Sequence, residues 1–263
     1  MTDSPNPGPA IEFRNVGYRL DNGTTLLRDL NLEIQRGETL VLLGRSGSGK
    51  TTTLKLINRL HTQSTGAIFV DGRSLEEWDV IRLRRMIGYV IQEVGLFPHF
   101  TVARNIGVVP QIEGWSSERI QHRVTELLER VGLEPQLASR YPNELSGGQR
   151  QRVGVARALA ADPAFLLMDE PFGALDPITR SELQREFLAL QQRLGKTVVF
   201  VTHDLREALR LGTRIALMES GQLVVTLTPD EFVHSTNPLV ADYVDAFKTE
   251  ISPQKGESDA PAE

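Results

Sequence analysis

Residues 39–57 read TLVLLGRSGSGKTTTLKLI, an apolar run, a glycine-rich turn and then a helical pattern. An apolar run without polar alternation suits a strand buried on both faces of a sheet. The turn fits G-x-x-x-x-G-K-[S/T] through Gly44, Gly49, Lys50 and Thr51. Its glycines let the backbone wrap an anion so that successive N–H groups point inward. Lys50 would then reach the β- and γ-phosphates of a nucleoside triphosphate, and Thr51 would ligate Mg²⁺. The expected contact set is Gly44, Arg45, Ser46, Gly47, Ser48, Gly49, Lys50, Thr51 and Thr52. A strand, loop and helix in this order commit the chain to an α/β fold with a buried sheet.

The remaining sequence agrees with that class. Short β-rich runs alternate with helical patterns across a chain of 263 residues, long enough for one large domain with an inserted lobe. AIEFRNVGYRL and TTLLRDLNLEI read as antiparallel strands joined by the turn DNG, and GAIFVDGR as a strand and turn. From about 93 to 155 the pattern is largely helical, SSERIQHRVTELLERVGL keeping apolar residues near i, i+3, i+4 and i+7. FLLMDE and TVVFVTHD then restore buried strands. Residues 1–10 read as a disordered tail, 11–240 as one catalytic domain, and 241–263 as a mostly disordered extension.

Composition excludes several functions. There is no cysteine, so disulfide frameworks and thiolate metal sites are ruled out. The net charge of −5 is a poor footprint for binding nucleic acid, and no nucleic-acid partner is expected. The basic cluster IRLRRM at 81–86 reads as a solvated helix face, or else a docking surface. MTDSPNPGPA has neither the basic nor the apolar region of a signal peptide. The longest apolar runs are too short to cross a bilayer, so any membrane role is borrowed from a partner.

Two further strand ends converge on the same chemistry. FLLMDEP delivers Asp169 to the Mg²⁺ shell and Glu170 to the attacking water, as general base. VVFVTHD ends in His203, suited to a γ-phosphate contact because ligands of α/β sheets sit at the carboxyl ends of strands.

A second glycine loop, LSGGQ at 145–149, also opens a helix, and a helix N-terminus is itself an anion site. Placed after the first loop and before LLMDE, it resembles the signature motif of ABC ATPases. The resemblance covers about residues 11–240. It implies an ABC-type P-loop core with an antiparallel β subdomain and an inserted helical subdomain. It also implies that two copies pack head to tail, each ATP lying between the P-loop of one and the signature loop of the other. Ser146, Gly147, Gly148 and Gln149 would then bind the γ-phosphate held by the second copy's Lys50. Gln92 resembles the glutamine that senses Mg²⁺ and the attacking water, and Asp176 in GALD resembles the D-loop aspartate between subunits. The family's base-stacking aromatic falls at Leu20 here, so that either Leu20 packs the base weakly or a neighbour substitutes. Tyr18, on the same strand face, stands as either a base contact or core filler.

TTTLKLINRL, LRRMIGYVIQEVGLFPHFTV and DEPFGALDPITR resemble the ATPase subunits of bacterial importers for quaternary-amine osmoprotectants such as glycine betaine, choline and carnitine. That implies transmembrane permease subunits, an extracytoplasmic substrate-binding protein and a place on the cytoplasmic face of the membrane. Phe97, Pro98 and Phe100 would wall the groove for a permease helix, or else form a buried turn. Regulatory CBS domains, which some members carry after the ATPase, are not expected. The competing readings are an importer ATPase for a polyamine, amino acid or metal chelate, and a non-transport ABC ATPase.

Overall fold

The computed structural model describes residues 8–92, 94–173 and 175–251, without the side chains of 249–251. The tail expectations for 1–7 and 252–263 fall outside the described residues. A six-stranded sheet forms the centre, in the order β10 (Gln222–Leu227), β9 (Arg214–Glu219), β3 (Thr39–Leu43), β8 (Thr197–Thr202), β7 (Phe165–Asp169), β6 (Ile87–Val90). Its members from β9 to β6 run parallel and β10 is antiparallel to β9. A second sheet pairs β2 (Thr25–Ile34), β1 (Ile11–Arg19), β4 (Thr65–Val70) and β5 (Arg73–Ser74), all antiparallel.

The apolar runs earn their burial on both faces. Every residue of β3 is buried. Val41 and Leu43 pack with the helical side of the molecule, whereas Leu40 and Leu42 face the core shared with the second sheet. β8 divides likewise, Val198 and Phe200 to one core and Val199 and Val201 to the other. Burying each such side chain contributes about 1.5–3 kcal/mol before the entropy of ordering is counted.

Between β6 and β7 the chain builds a helical lobe from α3 (Val102–Ile112), α4 (Ser117–Arg130) and α5 (Gly147–Leu159). α4 starts where the Ser116 hydroxyl accepts from the Arg119 N–H, and it buries Val124, Leu127 and Leu128 on one stripe. α5 carries the lobe back to the sheet and ends past the expected boundary at 155.

The basic cluster at 81–86 spans α2 (Val80–Arg85) and has more than a solvated role. Arg84 donates to the carbonyls of Asn58 and Arg59, just beyond the end of α1 (Lys50–Ile57), and so caps that helix. The chain after β7 forms α6 (Pro177–Leu194), α7 (Leu205–Leu211) and α8 (Pro229–Val233). The extension expected to be mostly disordered from 241 holds α9 (Pro238–Ile251), with Val240 and Val244 buried in the main core.

Candidate nucleotide-binding site

Parallel pairing sets the site. Leu43 of β3 lies beside Thr202 of β8, and Asp169 of β7 beside Val201. The residues that follow these strands therefore emerge on one edge of the sheet, where the P-loop, Glu170 and His203 meet. A cavity of about 680 Å³ opens there, lined by residues that include Arg45, Lys50, Thr51, Gln92, Glu170 and His203.

The loop is held by close approaches only glycine permits. A Cβ on Gly44 would meet the Met218 carbonyl oxygen at 2.3 Å. Gly47 and Gly49 have φ of 81° and 101°, the left-handed region that costs other residues energy. The Lys50 ammonium donates to the carbonyls of Gly44 and Arg45, both at 2.8 Å, which closes the loop into a ring. Burial pulls the Lys50 pKa down, and Glu170 and Asp169 oppose that pull. Of the nine expected loop contacts, Gly44 and Ser48 do not line the cavity. Ser48 is buried, and its carbonyl accepts from the Gly221 N–H.

Thr51 Oγ1 donates to Asp169 Oδ1 at 2.9 Å, bringing two of the three expected Mg²⁺ residues together, Gln92 being the third. Burial raises the Asp169 pKa, against the Thr51 hydrogen bond. Among the described residues no group of three or more His, Asp or Glu could hold a metal by itself. A hydroxyl and a carboxylate suit Mg²⁺, which keeps waters and takes the rest of its shell from phosphate oxygens. Glu170 adopts φ 43°, an unfavourable backbone for a non-glycine residue, and its Oε2 lies 3.2 Å from His203 Nδ1. Gln92 is exposed two residues beyond β6, on the cavity wall.

Ser146, Gly147, Gly148 and Gln149 are absent from the lining of this cavity. They begin α5, where the Ser146 hydroxyl accepts from the Gln149 N–H and the Gln149 side chain accepts from the Ser146 N–H. Ser146 and Gly147 are exposed, so the end of α5 faces outward. Asp176 is exposed too and caps α6 by accepting from the Thr179 N–H.

The sequence profile described as ABC transporter matches residues 27–173, more than half of the chain. The chain belongs to the ABC transporter family. It is 51% identical over 235 residues to the glycine betaine/carnitine/choline transport ATP-binding protein OpuCA of Bacillus subtilis (strain 168), covering 89% of this chain and 62% of that one. It is 47% identical to the trimethylamine N-oxide transport system ATP-binding protein TmoW of Ruegeria pomeroyi (strain ATCC 700808 / DSM 15171 / DSS-3), covering 92% and 71%. The chain spans about three fifths of the length of the first curated relatives it matches. Among solved structures, a dimeric post-hydrolysis state of the ATP-binding cassette MJ0796 bound to ADP and Pi superposes with a TM-score of 0.75 at 34% identity, covering 83% of this chain and 98% of that one. The ABC-type core with its inserted helical subdomain is thus shared with this family.

In this ABC chain, Tyr18 stacks on His61, ring centroids 5.0 Å apart, and lines a separate cavity with Leu20. The P-loop cavity takes Leu26 and Tyr243 instead, neither of which stood out in the sequence reading. Tyr243 had a signal, since Val240, Tyr243, Val244 and Phe247 follow helical spacing. Leu26 had none beyond its place in a strand. On the lobe, a cavity of about 380 Å³ is lined by Tyr89, Phe97, Val108, Ile112 and others. Phe97 is on that wall but Pro98 and Phe100 are not; the Phe100 ring lies under the Arg104 guanidinium at 3.8 Å.

Proposed function

We propose that this protein is the ATP-hydrolysing subunit of an ABC importer for small solutes bearing a methylated nitrogen, foremost glycine betaine and related osmoprotectants. The observation that carries the ATPase reading is the convergence of Lys50, Thr51, Gln92 and the Glu170–His203 pair on one cavity, with buried Asp169 bonded to Thr51 behind it.

In the cycle proposed, the P-loop N–H groups and Lys50 bind the β- and γ-phosphates of ATP. Thr51 and Asp169 hold Mg²⁺, which supplies charge neutralisation at the phosphate oxygens. Glu170 orients the attacking water and accepts its proton. His203 keeps Glu170 aimed through the 3.2 Å contact. A neutral ring donating Nδ1–H to Glu170 leaves Nε2 an acceptor, while the doubly protonated ring donates to a phosphate from Nε2 as well. The signature loop completes the site of a second copy, so binding ATP joins two chains and hydrolysis releases them. That cycle is transmitted to permease subunits docked at the Phe97 groove, on the cytoplasmic side of the membrane.

The cargo class rests on the relatives, whose names cover glycine betaine, carnitine, choline and trimethylamine N-oxide transport. All four solutes carry a methylated nitrogen, so trimethylamine N-oxide is the second reading for the cargo. The test is purification from native membranes in detergent, followed by cargo uptake in a strain lacking this chain. Co-purification of a permease and loss of glycine betaine uptake support the proposal. Ribosomal or DNA-repair partners without a permease refute the importer, and selective loss of trimethylamine N-oxide uptake moves the cargo to the second reading.

A further inference from the structure

α9 is seated by more than its own capping. The Asn237 side chain accepts from the Leu239 N–H at its start, and Val240 and Val244 enter the main core. Phe247 lies 5.5 Å from the guanidinium of Arg206, on the helix that follows His203. One turn along from Val240, Tyr243 reaches the P-loop cavity and lines it with Arg45, Ser46 and Lys50. Its hydroxyl is buried beside Arg45 and Glu219, with the Arg45 backbone and guanidinium as its polar neighbours. Burial and the nearby Glu219 raise the phenol pKa, and Arg45 opposes that rise.

We propose that Tyr243 is a nucleotide-contacting residue supplied by the C-terminal helix, so that nucleotide binding and the docking of α9 stabilise each other. The inference rests on the nucleotide-site reading above and adds a wall to it. The reach of Tyr243 couples the site to an element outside the P-loop, the signature loop and the helical lobe. Linkage makes the effect reciprocal: what loosens α9 weakens the nucleotide, and the nucleotide tightens α9 by the same factor.

The test uses the full chain with Mg-ADP, which avoids both turnover and ATP-driven dimerisation. Calorimetric binding is measured for the wild type, Tyr243→Ala, Tyr243→Phe and Lys50→Ala. Amide hydrogen exchange of residues 238–251 is followed with and without Mg-ADP. The proposal expects Tyr243→Ala to weaken Mg-ADP by about tenfold, within the usual range for coupled sites. Tyr243→Phe, which keeps the ring and loses the donor, should fall between it and the wild type. Mg-ADP should slow exchange in α9 of the wild type, and this slowing should vanish in Tyr243→Ala. Unchanged affinity in a folded Tyr243→Ala, or α9 exchange indifferent to Mg-ADP in the wild type, overturns the proposal. Should Tyr243→Ala not fold, wild-type exchange and the Phe variant decide. A wild type that does not bind Mg-ADP, or a Lys50→Ala that binds it equally well, overturns the nucleotide-site reading itself.

Discussion

Glu170 Oε2 lies 3.2 Å from His203 Nδ1, joining the ends of two neighbouring parallel strands across the mouth of the cavity. The contact forms because Asp169 pairs in register with Val201, so that Glu170, one residue on, and His203, two residues on, leave the sheet at the same edge. Glu170 accepts a left-handed backbone to reach it. Strain of that kind persists where the surroundings over-determine it, often at a working site.

If Glu170 is the general base, Glu170→Gln retains the shape and removes the proton acceptor. Phosphate release should fall by about 10²–10⁴-fold, with the affinity for ATP unchanged. Steady-state phosphate assays beside equilibrium ATP binding check this. Undiminished turnover would assign the base elsewhere.

The start of the signature helix is packed too tightly for a larger residue. A Cβ on Gly148 would lie 2.6 Å from Thr179 Cγ2, so Gly148→Ala should destabilise the fold by about 1–3 kcal/mol through overpacking. Thr179→Ser deletes that methyl and should recover much of the loss. Urea denaturation of both single variants and the double variant reads the coupling, and additive effects would contradict the contact.

Glu207 sits buried between α6 and β8, accepting from Gln184 Nε2 at 3.0 Å and Thr202 Oγ1 at 2.6 Å. Burial raises its pKa above the ordinary 4.5. The folded protein therefore keeps this proton at a pH where the unfolded chain has released it. The stability from this group is fully present below about 4.5 and is lost as pH rises through the higher folded value. Glu207→Gln should flatten that part of the stability profile. Denaturation midpoints across pH 4 to 8, at roughly half-unit steps, test it; identical pH slopes for the two proteins would exclude the effect.

Phe97 is 41% exposed on the wall of the lobe groove. With permease docking there, Phe97→Asp should lose co-purification with the permease while binding ATP as the wild type does. Retained co-purification would move the docking surface.

Much of this was legible beforehand because the informative residues are local. The P-loop announces itself through glycines and one lysine within nine positions, and the buried strands through their apolar runs. The pairing of Glu170 with His203 needs residues 33 apart, and only the parallel register brings them together. Tyr18 looked poised for a base because it lies near an expected position on β1, yet His61, beyond the end of α1, takes its ring face. α9 went unread for a different reason. Its polar neighbourhood resembles a tail, while the apolar spacing of Val240, Tyr243, Val244 and Phe247 becomes meaningful once a core stands opposite. Arg157 was equally silent: it reaches back from α5 to the Val94 and Gly95 carbonyls, each at 2.7 Å, and ties the signature helix to the segment after Gln92.

The central claim is that one chain holds two half-sites, a P-loop cavity and an outward-facing signature helix that serves a second copy. Sedimentation of Glu170→Gln with and without saturating Mg-ATP tests it most directly. The account predicts a 29.3 kDa monomer without nucleotide and a dimer with it, reverting to monomer when Ser146 is replaced by Arg in the same chain. A chain that binds Mg-ATP and stays monomeric would contradict it.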